Sequence, residues 1–258
     1  MLRPRIIPCL LVHNKGLVKT VRFSEPKYVG DPLNAVRIYN EKEVDELIVL
    51  DIDASVEGKE PNYDLVANLA RECRMRLCYG GGIRTSEQVE KIVGLGVEKV
   101  AISSTAIRDP SVIENSAIRV GRQSVVVVVD VKRVGLLNKR YELFTHNGKV
   151  KTGKDAVEFS TLAASLGAGE IVINSIDRDG TFEGYDFDLV KLIRNAVRTP
   201  ISVLGGAAGL RSISELIDQH GIIGAVAGSI FVFKGKYRAV LIQYPDKQEK
   251  KGLINGSL

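Results

Sequence analysis

The second half of this chain repeats the first, and that repeat restricts the fold more than any other feature. Glu46-Leu-Ile-Val-Leu-Asp51-Ile-Asp53 resembles Glu170-Ile-Val-Ile-Asn-Ser-Ile-Asp177 at an offset of 124 residues. Gly80-Gly81-Gly82 resembles Gly205-Gly206-Ala207, and Val100-Ala-Ile-Ser-Ser104 resembles Ala225-Val-Ala-Gly-Ser229, both at an offset of 125. The chain has 258 residues, so each offset is nearly half its length. Two copies of a four-unit half explain this directly. An open sheet gives no reason for it.

The units themselves are strand followed by helix. Short apolar runs recur at Arg5–Val12, Glu46–Ile52, Arg76–Tyr79, Lys99–Ser103, Ser124–Asp130, Glu170–Asn174, Ile201–Leu204 and Gly224–Ala227. They lack polar alternation, as parallel strands buried on both faces do. Amphipathic helical patterns fall between them at Asp64–Glu72, Ser86–Leu95, Ala156–Leu166, Asp188–Ala196 and Ser212–Asp218. Thr85-Ser86-Glu87, Asp109-Pro110, Gly153-Lys154-Asp155 and Tyr185-Asp186 supply helix-start signals. Eight such units make a barrel or a doubly wound sheet. No GxGxxG follows the first strand, which counts against a dinucleotide fold. The expectation is one α/β domain over 1–258, a (β/α)8 TIM barrel with a two-fold half-barrel repeat. Its core covers about 5–243, and 246–258 reads as a solvated, flexible tail. The long segments after strands one and five, roughly Leu11–Asp31 and Val131–Lys154, occupy equivalent places in the two halves and read as lids.

Composition narrows the function. The net charge of +5 suits an anionic small molecule, and no basic stretch interleaved with aromatics points to nucleic acid. No apolar stretch approaches a membrane span, and Met1–Val12 lacks a signal-peptide h-region. The three cysteines, Cys9, Cys73 and Cys78, have no metal spacing and read as reduced thiols of a cytoplasmic protein. His13, His146 and His220 form no ligand set and no hydrolase triad. No metal and no cofactor is expected.

Four groups of residues carry the candidate chemistry. Gly80-Gly81-Gly82 with Ser103-Ser104, and Gly205-Gly206 with Gly228-Ser229, end strands three, four, seven and eight. Glycine lets backbone N–H groups approach an anion, and the ends of strands seven and eight form the usual barrel phosphate site. A single glycine pair could merely turn the chain. The duplicated pairing with a serine-bearing strand end favours two phosphate cradles on opposite sides of the barrel mouth. Asp130 ends the run Val125–Val129 and stands at the top of its strand, where acid–base groups of barrels sit. Asp177-Arg178-Asp179-Gly180-Thr181 follows strand six and either lines the site or forms an Asx turn, a rivalry that is sharpest for Asp177. Arg5, Glu46, Lys99 and Glu170 sit near the starts of four strands. By spacing alone they read as a solvated rim of small energetic weight.

Ile6-Ile7-Pro8-Cys9-Leu10, Tyr79-Gly80-Gly81-Gly82-Ile83-Arg84, Asp130-Val131-Lys132, Asp177-Arg178-Asp179-Gly180-Thr181 with Gly184-Tyr185-Asp186, and Gly205-Gly206-Ala207 are together specific. From about Arg5 to Phe233 the chain resembles the cyclase subunit of imidazole glycerol phosphate synthase, HisF. The resemblance implies a partner glutaminase at the bottom of the barrel whose ammonia passes up the axis to a phosphate-bearing substrate. It also implies that Arg5, Glu46, Lys99 and Glu170 form a charged gate, overriding the rim reading. Lys19 matches a lysine of the family's first loop. The implied substrate and phosphate contacts are Lys19, Gly81, Gly82, Ser103, Ser104, Asp179, Gly180, Gly205, Gly206, Gly228 and Ser229.

The match breaks at position eleven. The cyclases carry an aspartate there, paired with the one matched by Asp130 as general acid and base; this chain has Leu11. General acid–base catalysis contributes about 10² to 10⁴ in rate, and a leucine moves no proton. Ser103 stands where Asn is usual, Asn174 where Thr is usual and Leu204 where Ser is usual. This pattern, with Ile230–Gly235 and Val240–Pro245, resembles the HisF-like proteins of surface-polysaccharide loci. Those are proposed to deliver ammonia, with a HisH-like glutaminase, to an N-acetyl sugar amidotransferase that makes an acetamidino sugar. The alternatives are an authentic cyclase of histidine biosynthesis using Asp130 alone or with Asp179, a related sugar-phosphate isomerase, and a non-catalytic scaffold for the glutaminase.

Overall fold

The computed structural model describes residues 3–135 and 140–255. In chain order, β1 (Arg5–His13) runs into an antiparallel ribbon, β2 (Gly16–Val21) and β3 (Ser24–Gly30). α1 (Pro32–Glu41), β4 (Glu46–Asp51), α2 (Tyr63–Glu72), β5 (Arg76–Gly80), α3 (Ser86–Gly94), β6 (Lys99–Ile102), α4 (Ser104–Arg108) and α5 (Ser111–Val120) complete the first half. β7 (Val125–Val134) opens the second half with another ribbon, β8 (Arg140–Thr145) and β9 (Val150–Asp155). Then follow α6 (Ala156–Ser165), β10 (Glu170–Ser175), α7 (Phe187–Ala196), β11 (Ile201–Leu204), α8 (Leu210–His220) and β12 (Gly224–Ala227). A short hairpin, β13 (Phe233–Lys234) and β14 (Ala239–Val240), leads to α9 (Lys247–Asn255).

β1, β4, β5, β6, β7, β10, β11 and β12 pair in parallel, each with the next, and β12 pairs back onto β1. The closed ring is a (β/α)8 barrel with no free edge. The apolar runs fill both sides of it. Val125, Val127 and Val129 join the outer core under the helices, while Val126 and Val128 join Ile7, Cys9, Ile48 and Val172 inside the bore. Helix boundaries follow their local chemistry. Thr85 closes a capping box with Gln88, Asp155 accepts from Val157 N and Glu158 N, and Asp186 accepts from Leu189 N.

Two expectations are revised. The segments after strands one and five are not loops but paired ribbons continuous with β1 and β7: Leu11 pairs with Val18, and Val131 with Leu143. The stretch from Lys247, read as solvated and flexible, is helical through Asn255, because Leu253 is buried and Lys247 pairs with Glu43 at 2.7 Å.

Candidate functional site at the top of the barrel

At the bottom of the barrel the four strand-start charges form a closed ring. Arg5 bonds Glu46 at 2.5 Å and Glu170 at 2.7 Å; Lys99 bonds Glu46 at 2.5 Å and Glu170 at 2.8 Å. Ser202 also donates to Glu170. Alternation along each strand turns these residues inward. The glutamates are almost wholly buried, and the cations keep a narrow exposed edge. Burial works against the Glu170 carboxylate, but Arg5 and Lys99 outweigh it and hold Glu170 well below the usual carboxylate range. Burial likewise opposes the Lys99 ammonium, and the two glutamates overcome it and raise its pKa. The solvated-rim reading therefore fails: each cation is shared between two buried carboxylates.

At the top, a cavity of about 150 Å³ opens between the strand ends. Asp130, Ser103 and Asn174 stand together on β7, the end of β6 and β10. Asp130 accepts from Asn174 Nδ2 at 2.8 Å and from Ser103 Oγ at 3.2 Å. Loss of surrounding water pushes the Asp130 carboxyl up to about 6, against the pull of those two donors. Across the bore the inward positions are hydrocarbon. Leu11 pairs in register with Leu50, and Leu204 with Asn174. All three leucines line the cavity.

The expected phosphate cradles lie on opposite arcs, one at β5–β6 and one at β11–β12. Gly81, Ser103, Ser104, Gly180, Gly205, Gly206, Gly228 and Ser229 all line the cavity. Gly82 turns into an adjoining pocket with Arg84 and Lys154, and its N–H donates to Ser55 Oγ at 3.3 Å. Gly81 and its repeat mate Gly206 share a left-handed backbone, φ +130° and +102°. A methyl on Gly206 would sit 2.2 Å from the Gly184 oxygen. Lys19 reaches in from β2, donates to the Cys9 carbonyl at 2.5 Å and packs on Gly228, where a methyl would come within 2.8 Å of Nζ. Burial lowers the Lys19 pKa.

The two ribbons roof this cavity. Asp179 accepts from Thr20 Oγ1 at 2.7 Å and from Phe23 N at 3.1 Å, fixing the first ribbon over the β10–α7 loop. Asn147 Nδ2 donates to the Ile52 carbonyl at 2.9 Å, fixing the second over the end of β4. At the tips, Phe23 lies against Gly148. Asp177 accepts from Arg133 N at 2.9 Å and does not line the cavity; it ties the β10–α7 loop to β7, which is neither a site role nor the local Asx turn. The Asp179 carboxyl is raised by burial.

Residues 5–238 match the histidine biosynthesis protein family. A protein of Leptospira borgpetersenii provisionally named imidazole glycerol phosphate synthase subunit HisF is 55% identical over 98% of this chain and 100% of its own. The provisionally named subunit hisF3 of Vibrio vulnificus is 56% identical over 97% and 96%, and hisF2 of Pseudomonas aeruginosa is 50% identical over 95% and 97%. This chain belongs to the histidine biosynthesis protein family. It is a HisF-like member, and the barrel is the fold its resemblance to HisF implied.

In this HisF-like barrel, one cavity carboxylate escaped the sequence reading. Asp51 ends β4 beside position 11, since Val12 and Asp51 are register partners. It accepts from Asp53 N and Ala54 N, lies against Gly81, and is raised by burial. Its repeat mate is Ser175, so the duplication that marks the glycine strand ends gives no signal for it. Ser55 and His146 also line the cavity, each from a loop or ribbon without an apolar pattern of its own. Among the described residues, no helix is long and apolar enough to cross a membrane.

Proposed function

We propose that this HisF-like barrel receives ammonia from a HisH-like glutaminase bound at its lower end and conducts it to an acceptor above the strand ends. The acceptor reaction we favour is amidation of an N-acetyl sugar by a separate amidotransferase, giving an acetamidino sugar for surface polysaccharide. The observation that carries this reading is an asymmetry along one axis. The ring of Arg5, Glu46, Lys99 and Glu170 is complete and fully paired, while the position facing Asp130 across the mouth is Leu11. Conduction needs the ring and an apolar bore. Ring-closing chemistry needs two proton-transfer groups. The relatives are named as subunits, and a subunit implies a partner. The two cradles hold a phosphate-bearing small molecule in this reading, with Lys19 beside the second.

A second reading is an authentic cyclase in histidine biosynthesis. The specific observation in its favour is Asp130 itself, oriented at the cavity by Ser103 and Asn174 and pushed up to about 6 by burial. Complementation of a histidine auxotroph separates the two: growth at the normal rate selects the cyclase. The conduit is tested by Lys99→Ala in the complex with glutaminase and acceptor enzyme. Glutamine-dependent product formation changes while formation from added ammonium salt does not. Equal loss under both conditions makes the ring purely structural.

A further inference from the structure

Ile230–Gly235 and Val240–Pro245, two stretches singled out by the sequence, play no part in the proposed conduit. They build the β13–β14 hairpin and the approach to α9, and with the β11–α8 loop they enclose a side pocket of about 420 Å³. Small-molecule sites span about 300–1,000 Å³. The pocket lies directly behind the barrel mouth. Gly205, Gly206 and Ala207 line the central cavity, and the next residues of the same loop, Ala208, Gly209 and Leu210, line the pocket. Gly228 and Ser229 line the cavity in the same way, and Ile230 and Phe231 the pocket. Phe182 lines both. Its backbone is left-handed, φ +61°, a conformation rare for a bulky residue, and its ring stands between the two spaces.

Three features fix what the pocket can take. Its walls are aromatic: Phe182, Phe231, Phe233 and Tyr244. Such walls favour a flat ring, and stacking of a nucleic-acid base on an aromatic side chain contributes about 1–3 kcal/mol. The second feature is one oriented polar atom. Gln243 Nε2 donates to the Ile230 carbonyl at 2.8 Å and to the Phe233 carbonyl at 3.0 Å, so both amide hydrogens are committed and the amide cannot turn. Its Oε1 accepts from no described residue and is not sealed from solvent. An amide oxygen takes a donor and rejects a second acceptor. The third feature is charge. Lys236 and Arg238 stand exposed on the lip, and neither forms an ion pair among the described residues. Arg238 lies over the Phe182 ring at 4.8 Å. The carboxylate of the lining, Glu249, is already engaged by Asp246 N at 2.9 Å.

We propose that this side pocket binds a nucleoside monophosphate. The base lies against the aromatic walls and gives one N–H to Gln243 Oε1, and the phosphate meets Lys236 and Arg238 at the lip. Every common base carries such an N–H, so these contacts select the class of ligand and not the base. An aliphatic phosphate lacks the ring, and a nucleoside lacks the anion. The site stands whether or not ammonia passes through the barrel. Its occupant touches the same Phe182 ring that walls the central cavity.

The test titrates the full-length, 13C- and 15N-labelled chain with AMP, CMP, GMP and UMP in turn, against sn-glycerol 3-phosphate and the matching nucleosides. With at least one nucleotide the Gln243 side-chain amide and the Tyr244 ring shift together on one saturable curve. Glycerol phosphate leaves both unmoved, and the nucleoside binds about tenfold more weakly, the equivalent of about 1.4 kcal/mol. Lys236→Ala combined with Arg238→Ala gives a loss of the same size; both positions are exposed, so the fold is kept. Gln243 is left intact, because its Nε2 holds two carbonyls of the segment. No saturable shift with any nucleotide overturns the proposal. So do shifts confined to Gly81 and Gly206, which place the phosphate in the central cavity. Equal shifts with glycerol phosphate, a nucleoside that binds as tightly as its nucleotide, and a double variant that binds like the parent each overturn it as well.

Discussion

Glu170→Gln keeps the shape of the ring and removes one of its two negative charges. Glu170 accepts from Arg5 at 2.7 and 3.3 Å, from Lys99 at 2.8 Å and from Ser202, and is 5% exposed. In the variant Arg5 and Lys99 share Glu46 alone, and one buried cation is left uncompensated. Removing one partner of a buried pair costs about 3–5 kcal/mol. The Arg5 and Lys99 side chains are 15% and 14% exposed and can turn partly to solvent, which places the loss at the lower end, about 3 kcal/mol. The pH dependence supplies a second check. Glu170 is held below its ordinary value of 4.5 in the folded chain. Its contribution is therefore complete above that ordinary value and is lost as pH falls below it. The difference between wild type and variant should be full near pH 7 and shrink progressively below about pH 4.5. Urea unfolding followed by circular dichroism and tyrosine fluorescence (the chain has no tryptophan) measures it, with equal m values as the control. A difference below about 1 kcal/mol near neutrality, the range of exposed pairs, refutes the description of a buried, mutually dependent ring. So does a difference that is the same in acid.

Two further perturbations probe the top of the barrel. Asp130 has a raised pKa, so the stability it contributes is complete below its ordinary 3.8 and is lost as pH rises through about 6. Asp130→Asn should accordingly stabilise the fold near pH 8, by about 2 kcal/mol after allowance for its partial exposure to the cavity, and change little near pH 4; destabilisation at pH 8 contradicts the assignment. Leu11→Asp sets a second carboxylate in the layer of Asp130, and like charges raise each other's pKa. The Asp130 carboxyl carbon should then titrate at a midpoint above about 6, and an unchanged midpoint shows that position 11 does not face it.

The barrel was legible because its strands are buried on both faces. Val125–Val129 feeds the bore and the helix layer in alternation, so it shows as an unbroken apolar run. The glycine- and serine-bearing strand ends that line the cavity were legible because they are duplicated. The ribbons were not. In β3, Ser24–Gly30, only Val29 is buried, and its pairing follows from the continuation of β1 into β2 rather than from any pattern of its own. The ring was ambiguous for a different reason. Spacing places Arg5, Glu46, Lys99 and Glu170 at strand starts, but only closure of the barrel brings Glu46 and Glu170 between the same two cations. Asp179 is a further case: its partners Thr20 and Phe23 lie far away in sequence, and a turn motif read locally carries no trace of them. The tail from Lys247 looked solvated because its charges dominate, and a single apolar anchor, Leu253, was enough to seat it.

The central element of the proposed function is ammonia moving through this protein rather than through solvent. The direct measurement uses the assembled complex of this chain with the proposed glutaminase and acceptor enzyme, supplied with glutamine labelled with 15N in the side-chain amide and a large excess of unlabelled ammonium chloride. Mass spectrometry of the amidated product reads the source of the nitrogen. If ammonia passes through the bore, the product stays predominantly 15N-labelled with the wild-type barrel and becomes diluted when Lys99→Ala disturbs the ring. Label diluted to the bulk ratio with the wild-type barrel contradicts it.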